Sequence, residues 1–156
     1  MLADIVVDTN VLMHAGNPDL AGNYFEPAVE FLAALRAATT LLCIDKFAGG
    51  SSLIAAEYLH TLPVQSFGRE LVVALLVSQR VTEVSDKVDN ATRQFVKKQV
   101  PRNSRDQRFV RVTHNTNDKV LVSHDFADMP PKVRQAIRNR LDIDIVTAAE
   151  ALPAVK

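Results

Sequence analysis

Short apolar runs that alternate with amphipathic segments constrain the fold of this chain more than any other feature. The first run, Ile5-Val6-Val7, is β-branched throughout, which is typical of a buried strand. The runs predicted as strands cover residues 5–7, 39–44, 119–123 and 143–147. The segments predicted as helices cover residues 23–38, 52–62, 67–79, 86–100, 104–114 and 131–141. This alternation predicts an α/β fold, a three-layer α/β/α sandwich with a mostly parallel central sheet.

The length and composition favour a single globular domain. With 156 residues, of which 47% are hydrophobic and 23% charged, the chain is long enough for a core and too apolar to be disordered. Neither a repeat nor a linker divides the sequence. We therefore predict one domain over residues 1–156, with a charged helical segment at about 81–103.

The charge balance and the cysteine content favour a cytoplasmic protein without a membrane partner. The 18 Lys and Arg residues balance the 18 Asp and Glu residues, so the chain has no net charge that would attract nucleic acid or a bilayer. Only a local patch of charge could bind either of them. Cys43 is the only cysteine, which excludes an intrachain disulfide, and it is expected in a buried strand. No basic segment accompanies Asp4, so a signal peptide is not expected, and the apolar run 71–77 is too short to span a bilayer.

Acidic residues follow three of the predicted strands. Asp8, Asp45 and Asp125 come after the first, second and third apolar runs. In an open parallel sheet, ligands bind beyond the carboxyl ends of the strands. Turns favour aspartate at any single position, but three acids at one edge of the sheet indicate a functional site.

Two acids in predicted helices can join this edge. Glu57 lies in an apolar run, where a charge is costly unless it is exposed, paired or bound to a metal. Asp106 lies in the first turn of a helix, where the helix dipole alone would also favour it. Converging carboxylates raise one another's pKa, and a divalent cation removes that penalty. Oxygen ligands without a Cys or His cluster favour Mg²⁺ or Mn²⁺ over zinc. The histidines lack metal-binding spacing and are expected to be solvated: His14, His60, His114 and His124.

Four segments present these acids in a characteristic order. They are VVDTNVLM (6–13), SSLIAAEYL (51–59), RDQRFVRVT (105–113) and VLVSHD (120–125). Together they resemble the PIN domain, a small metal-dependent nuclease fold found in many toxin and RNA-processing ribonucleases. The resemblance covers nearly the whole chain and implies a parallel sheet with the first strand at its centre.

The resemblance also implies roles for individual residues. The implied catalytic quartet is Asp8, Glu57, Asp106 and Asp125. The implied metal ligands are Asp8, Asp106 and Asp125, while Glu57 ligates or orients water. Asn10 and Ser123 match supporting polar positions, and Asp128 matches an occasional extra acid. One or two Mg²⁺ or Mn²⁺ ions would activate water for hydrolysis of a phosphodiester, with single-stranded RNA as the implied substrate.

Basic residues crowd around Asp106 in the sequence. They are Lys97, Lys98, Arg102, Arg105, Arg108 and Arg111. Such a run either binds nucleic-acid phosphates or forms a solvated helix face. Aromatic residues make up only 6% of the chain, which argues against an extended base-stacking surface and for binding through the backbone.

Together with these features, the resemblance to the PIN domain implies a Mg²⁺- or Mn²⁺-dependent endoribonuclease with RNA as its partner. Two alternatives stay open: a non-catalytic PIN-like module that binds nucleic acid or protein, and the toxin of a toxin–antitoxin pair. Segments 81–101 and 113–119 depart from the short toxin members, and an antitoxin, another protein partner or a homodimer is compatible with the sequence. A phosphatase with Asp8 as nucleophile is disfavoured, because Asn10 stands where such enzymes usually carry a second acid.

Overall fold

The computed structural model describes residues 1–47 and 49–156, and its central feature is a five-stranded, all-parallel sheet. The strands are β1 (Asp4–Val7), β2 (Leu41–Lys46), β3 (Val81–Ser85), β4 (Val120–Val122) and β5 (Asp144–Val146). Their order across the sheet is β3-β2-β1-β4-β5, so β1 is the central strand. A Gly-rich turn is predicted at 46–52, and its residue Ala48 lies outside the described residues.

Helices cover both faces of this sheet. They are α1 (Thr9–His14), α2 (Pro18–Ala21), α3 (Phe25–Ala37), α4 (Leu53–Thr61), α5 (Phe67–Val77), α6 (Asn90–Gln99), α7 (Ser104–His114), α8 (Pro131–Leu141) and α9 (Ala148–Val155), with a 3₁₀ turn at Gly22–Tyr24. Helices α1, α5 and α9 pack on α3, and α7 and α8 pack on α6. Right-handed crossovers between parallel strands place these two groups on opposite faces. The predicted three-layer α/β/α sandwich is therefore confirmed.

Within residues 1–47 and 49–156, no helix combines the length and the apolarity that crossing a bilayer requires.

The edge strand β3 was predicted wrongly from the sequence. The charged helical segment predicted at about 81–103 is wrong over its first part, because Val81–Ser85 pairs with β2 as a parallel strand. Its side chains are only half-buried, so the segment lacks the continuous apolar run that marks the interior strands. The helix that follows begins only after Asp89, whose carboxylate accepts the Thr92 backbone N–H at 2.7 Å. The four predicted strands are confirmed with ends shifted by one or two residues.

A pair of aspartates joins the amino ends of the neighbouring strands β1 and β4. The Asp4 carboxylate accepts the backbone N–H groups of Asn117 and Asp118, each at 2.9 Å. The Asp118 carboxylate accepts the N–H groups of Ala3 and Asp4 at 2.6 and 3.2 Å. The unusual segment 113–119 therefore supplies a structural clamp, and Asp4 lies at the amino edge of the sheet.

A buried tyrosine attaches helix α4 to the carboxyl edge of the sheet, opposite the edge at which Asp4 lies. Strand β1 is buried along its whole length, and Cys43 of β2 is buried and free, as predicted. The Tyr58 hydroxyl of α4 is fully buried and donates a hydrogen bond to the carbonyl of Val7, the last residue of β1. This bond places α4 directly beside the point where the acidic residues begin.

Candidate metal centre

Strand β1 delivers Asp8 to the carboxyl edge of the sheet. The Asp8 backbone N–H donates to the Val122 carbonyl at 2.9 Å, so the pairing of β1 with β4 continues to this residue. Asp8 Oδ2 accepts hydrogen bonds from the Ser123 hydroxyl at 2.8 Å and from the Asn10 amide at 3.3 Å. Burial raises the pKa of Asp8 to about 6, against the lowering effect of the Ser123 hydrogen bond. Both predicted supporting residues therefore contact Asp8.

Three further carboxylates lie together near Asp8. Asp106, Asp125 and Asp128 each offer one oxygen, and these oxygens lie within 4.8 Å of one another. Asp106 belongs to the first turn of α7, whereas the other two lie on the loop after β4. Asp125 Oδ1 fixes that loop by accepting the backbone N–H groups of Ala127 and Asp128 at 3.1 and 3.0 Å. We call these three residues the carboxylate trio.

Asn103 connects the two chain segments that carry the trio. Its Oδ1 caps α7 by accepting the backbone N–H groups of Arg105 and Asp106 at 3.0 and 3.2 Å. Its Nδ2 donates to Asp128 Oδ2 at 3.3 Å. Asn103 is a site residue that sequence reasoning missed, although an Asn-Ser pair before a helical pattern is a capping signal.

Asp106 has a buried carboxylate oxygen without a hydrogen-bond partner among the described residues. The residue is 4% exposed, and the unpartnered atom is Oδ2. Burial raises the pKa of Asp106 to about 9, and the charge of Asp8 and the contact with Asp125 add to the increase. A carboxylate in this position is costly unless it is protonated or bound to a cation. Asp106 therefore has the environment of a metal ligand.

Glu57 reaches the same edge from α4. Its Oε2 accepts a hydrogen bond from the Thr9 hydroxyl at 2.9 Å, and its Oε1 lies 3.4 Å from the Arg105 guanidinium. The charges of Asp125 and Glu57 both help to raise the pKa of Asp8 after the larger effect of burial. Asp8, Glu57, Asp106 and Asp125 therefore lie at the same edge of the sheet, where Asp106 and Asp125 belong to the trio and Glu57 pairs with a basic side chain.

The trio differs in one member from the predicted metal ligands. The prediction names Asp8, Asp106 and Asp125, whereas the trio contains Asp128, which was predicted only as a supporting acid. Asp8 lies outside the trio, and its Oδ2 accepts hydrogen bonds from the Ser123 hydroxyl and the Asn10 amide.

Asp45 acts on the site only through helix α4. Its carboxylate accepts the Ser52 hydroxyl and the backbone N–H groups of Leu53 and Ile54, the latter two at 3.1 and 2.8 Å. A carboxylate satisfies the free N–H groups of a helix start and interacts favourably with the helix dipole. Asp45 lies at the carboxyl edge of the sheet, as expected, but outside the trio, and it fixes the helix that carries Glu57.

Two of the histidines form a hydrogen-bonded pair, so the expectation that they are solvated is wrong for His124, which is buried. The Nδ1 atoms of His14 and His124 are 2.8 Å apart, and Tyr24 stacks on both rings with centroid distances of 5.6 and 4.3 Å. The Ala148 backbone N–H donates to His124 Nε2 at 3.1 Å, so His124 carries its proton on Nδ1. That proton is donated to His14 Nδ1, which leaves the His14 proton on Nε2. Burial lowers the pKa of His124 to about 4, in agreement with a neutral ring.

Arg134 of α8 is a second residue that sequence reasoning missed. Its guanidinium donates to the carbonyls of Ser123 and Asp125 at 3.1 and 3.2 Å, and its Nε donates to the Met129 carbonyl at 2.6 Å. These contacts hold the loop that carries two members of the trio. Helical spacing offered a signal, because Arg134 lies one turn before the buried Ile137 on the apolar face of α8.

The predicted phosphate-binding residues differ in their exposure to solvent and in their pairing with acidic side chains. Three of them are exposed: Lys97, Lys98 and Arg102. Arg105 is exposed but pairs with Glu57, and Arg111 lies 3.5 Å from Asp86. Arg108 is half-buried, and its Nε has no partner in the part of the chain that the structure describes. A basic surface therefore lies next to α7 and the trio.

Comparisons with known proteins found no match to this chain, either among protein-family models, among curated proteins or among solved structures. The resemblance to the PIN domain therefore stays a prediction from the four segments. The geometry of the carboxyl edge is the observation from which a function can be inferred.

Proposed function

We propose that this chain is a PIN-like, Mg²⁺- or Mn²⁺-dependent endoribonuclease that hydrolyses phosphodiester bonds of single-stranded RNA. The observation that carries the proposal is the carboxylate trio, whose oxygens lie within 4.8 Å of one another. Carboxylates at this separation repel one another unless they share a proton or a cation. Oxygen ligands of this kind suit Mg²⁺ or Mn²⁺.

The side chains at this edge fit a hydrolytic reaction. Asp106, Asp125 and Asp128 would hold the ion, and Asp106 fits best because its Oδ2 is buried without a partner among the described residues. A bound divalent ion lowers the pKa of water and neutralises charge on a phosphate oxygen. Asp8 and Glu57, both fixed by hydrogen bonds, would orient the attacking water and accept its proton.

The wild-type protein tests this proposal directly. A fluorescently labelled single-stranded RNA of mixed sequence is expected to be cut internally with Mg²⁺ or Mn²⁺, to stay intact with EDTA, and to be cut again when metal is restored in excess. Gel electrophoresis of the products separates internal cleavage from trimming at the ends. Cleavage that persists in EDTA, or intact RNA with every divalent ion, contradicts the proposal.

The exposed basic surface next to α7 is expected to bind RNA phosphates. The double variant Lys97→Glu/Lys98→Glu should weaken binding similarly for all RNA sequences. The slope of log affinity against log salt should fall by about 0.7 for each lost phosphate contact. Fluorescence anisotropy with labelled RNA in EDTA, at several salt concentrations, measures both quantities.

A matched control variant carries the same change of charge at the other edge of the sheet. Arg36 and Lys156 are exposed and lie at the ends of α3 and α9, next to the amino edge of the sheet. Arg36→Glu/Lys156→Glu should leave the affinity and its salt slope close to the wild-type values. Equal effects of the two double variants would show that the surface next to α7 does not bind RNA specifically.

The alternatives give different results in these assays. RNA binding without cleavage in any metal would favour a non-catalytic PIN-like module. The alternative of a toxin with an antitoxin as partner, and a homodimer, are tested by neither assay.

A further inference from the structure

A partly enclosed cavity of about 260 Å³ lies between the ends of α1 and α4. Its apolar walls include Met13 and Pro63, and its polar groups include His14 and Thr61. Thr61 also lines a neighbouring cleft of about 280 Å³ that contains Glu57. The cavity and the cleft that contains Glu57 are therefore neighbours along α4.

The His14 ring is held rigidly in the wall of this cavity. Tyr24 lies nearly parallel to the ring, at 7°, and His124 donates a hydrogen bond to its Nδ1 at 2.8 Å. The His14 proton therefore sits on Nε2, which makes no hydrogen bond within residues 1–47 and 49–156. A rigid aromatic ring with an unused N–H donor is suited to reading the edge of a flat ligand.

The neighbouring cleft contains two guanidinium groups, of which that of Arg105 is paired with Glu57. Arg105 and Arg108 line it together with His60. Arg108 Nε is buried and has no partner among the described residues. Guanidinium groups bind phosphate oxygens well, because their donors form a planar fork. A cavity with a fixed donor and a cleft with basic side chains thus share a wall at Thr61.

We propose that the cavity binds one nucleobase of the RNA strand and gives the enzyme a base preference at that position. This inference rests on the proposed function. Proteins that read single-stranded nucleic acid hold unstacked bases between apolar or aromatic side chains and bind their edges through hydrogen bonds. The cavity of about 260 Å³ is smaller than the ~300–1,000 Å³ of drug-sized sites, so it suits one ring system rather than a peptide segment.

Gly16 offers a way to fill the cavity without disturbing the helices. A Cβ added at Gly16, which lines the cavity, would lie 3.4 Å from Ser66 Cβ and 3.5 Å from the Met13 carbonyl oxygen, both close to ordinary contact distances. Gly16→Leu therefore places apolar atoms where the base would bind. Ala37→Leu is the matched control, because Ala37 is exposed at the end of α3 and away from this cavity.

The test measures the binding of labelled hexaribonucleotides by anisotropy in EDTA, so that no RNA is cut. The probes are the hexamers of adenosine, cytidine and uridine and an abasic hexamer with the same phosphates. The wild type is expected to bind at least one hexamer about tenfold more tightly than the abasic probe. Gly16→Leu should reduce that hexamer to the abasic level and leave the abasic probe unchanged, whereas Ala37→Leu should behave as wild type.

A second variant keeps the test decisive if filling the cavity impairs folding. His14→Phe retains a ring against Tyr24 but removes both ring nitrogens, the Nε2–H donor and the Nδ1 that accepts the His124 hydrogen bond, so it should change the ranking of the three hexamers. Thermal unfolding confirms that each variant is folded. A wild type that binds the abasic probe as tightly as the hexamers, or folded variants with the wild-type ranking, would overturn the inference.

The binding assay and the cleavage assay separate the two proposals. Metal-dependent cleavage without any base preference would overturn the base-binding cavity alone. A base preference abolished by Gly16→Leu, in a protein that cuts no RNA, would overturn the nuclease proposal alone.

Discussion

Asp106→Asn is expected to abolish metal-dependent RNA cleavage while the chain stays folded. The substitution keeps the shape of the side chain and removes the charge at Oδ2, the buried oxygen that has no partner among the described residues. A metal that polarises the phosphate contributes several kcal/mol to transition-state stabilisation, so we expect a loss of about 10³-fold or more. The initial rate of cleavage of a labelled single-stranded RNA at saturating Mn²⁺ measures the effect.

Two further variants make the result specific to the trio. Asp125→Asn should cause a comparable loss, because its carboxylate belongs to the same group of oxygens. Glu83→Gln removes one negative charge from an exposed position on β3 and should retain wild-type activity. Activity that survives both aspartate substitutions in identically purified protein would come from a contaminant or another site, and the nuclease proposal would then fall.

Asp106→Asn is also expected to stabilise the metal-free protein at alkaline pH. The metal-free folded state must keep Asp106 protonated at pH 8, where the unfolded chain ionises it, and we take for this cost the range of about 1–3 kcal/mol that applies to an unsatisfied buried polar group. An asparagine at position 106 is neutral and can donate a hydrogen bond to Asp125, as the protonated acid does. For a chain of this length we expect a rise in Tm of about 3–10 °C at pH 8 in EDTA. Differential scanning calorimetry of the wild type and Asp106→Asn checks this value.

The pH dependence gives the sign of this effect. The pKa of Asp106 is raised from 3.8 to about 9 on folding, so the folded state binds more protons than the unfolded state between about pH 4 and pH 9. The free energy of unfolding of the metal-free wild type should therefore fall as the pH rises through that window. The variant should lose this part of the slope, while Asp8, with a pKa of about 6, should still contribute to it between about pH 4 and pH 6. If the free energy of unfolding depends on pH identically in both proteins, folding does not raise the pKa of Asp106.

Features that depend on local pattern could be predicted from the sequence. Helices α7 and α8 have their predicted bounds, Ser104–His114 and Pro131–Leu141, because each combines a helix-start residue with a regular apolar face. The acids after β1 and β4 could be placed at one edge because the carboxyl ends of parallel strands share that edge. Edge strand β3 could not, since half-exposed residues give no continuous apolar run.

Features that depend on contacts between distant residues could not be predicted. His14 and His124 are 110 residues apart, and nothing in either local sequence indicates that their rings meet. The membership of Asp128 in the trio depends on a loop geometry that Asp125 fixes through two backbone N–H groups. Asp45 lies at the carboxyl edge as expected, but the apolar run before it gives no sign that its carboxylate binds the start of α4.

The pairing of β1 with β4 determines when the acidic edge can form during synthesis of the chain. Asp8 and Ser123 are 115 residues apart, so a nascent chain that has not yet reached β4 contains Asp8, Glu57 and Asp106 without the strand that brings Asp125 to them. Chains emerge from the ribosome at about 5–20 residues per second, and long-range parallel pairing follows only after both strands are available. The acidic edge is therefore assembled only after β4 has been synthesised. Until then, a growing chain with this topology carries no complete group of carboxylates at this edge.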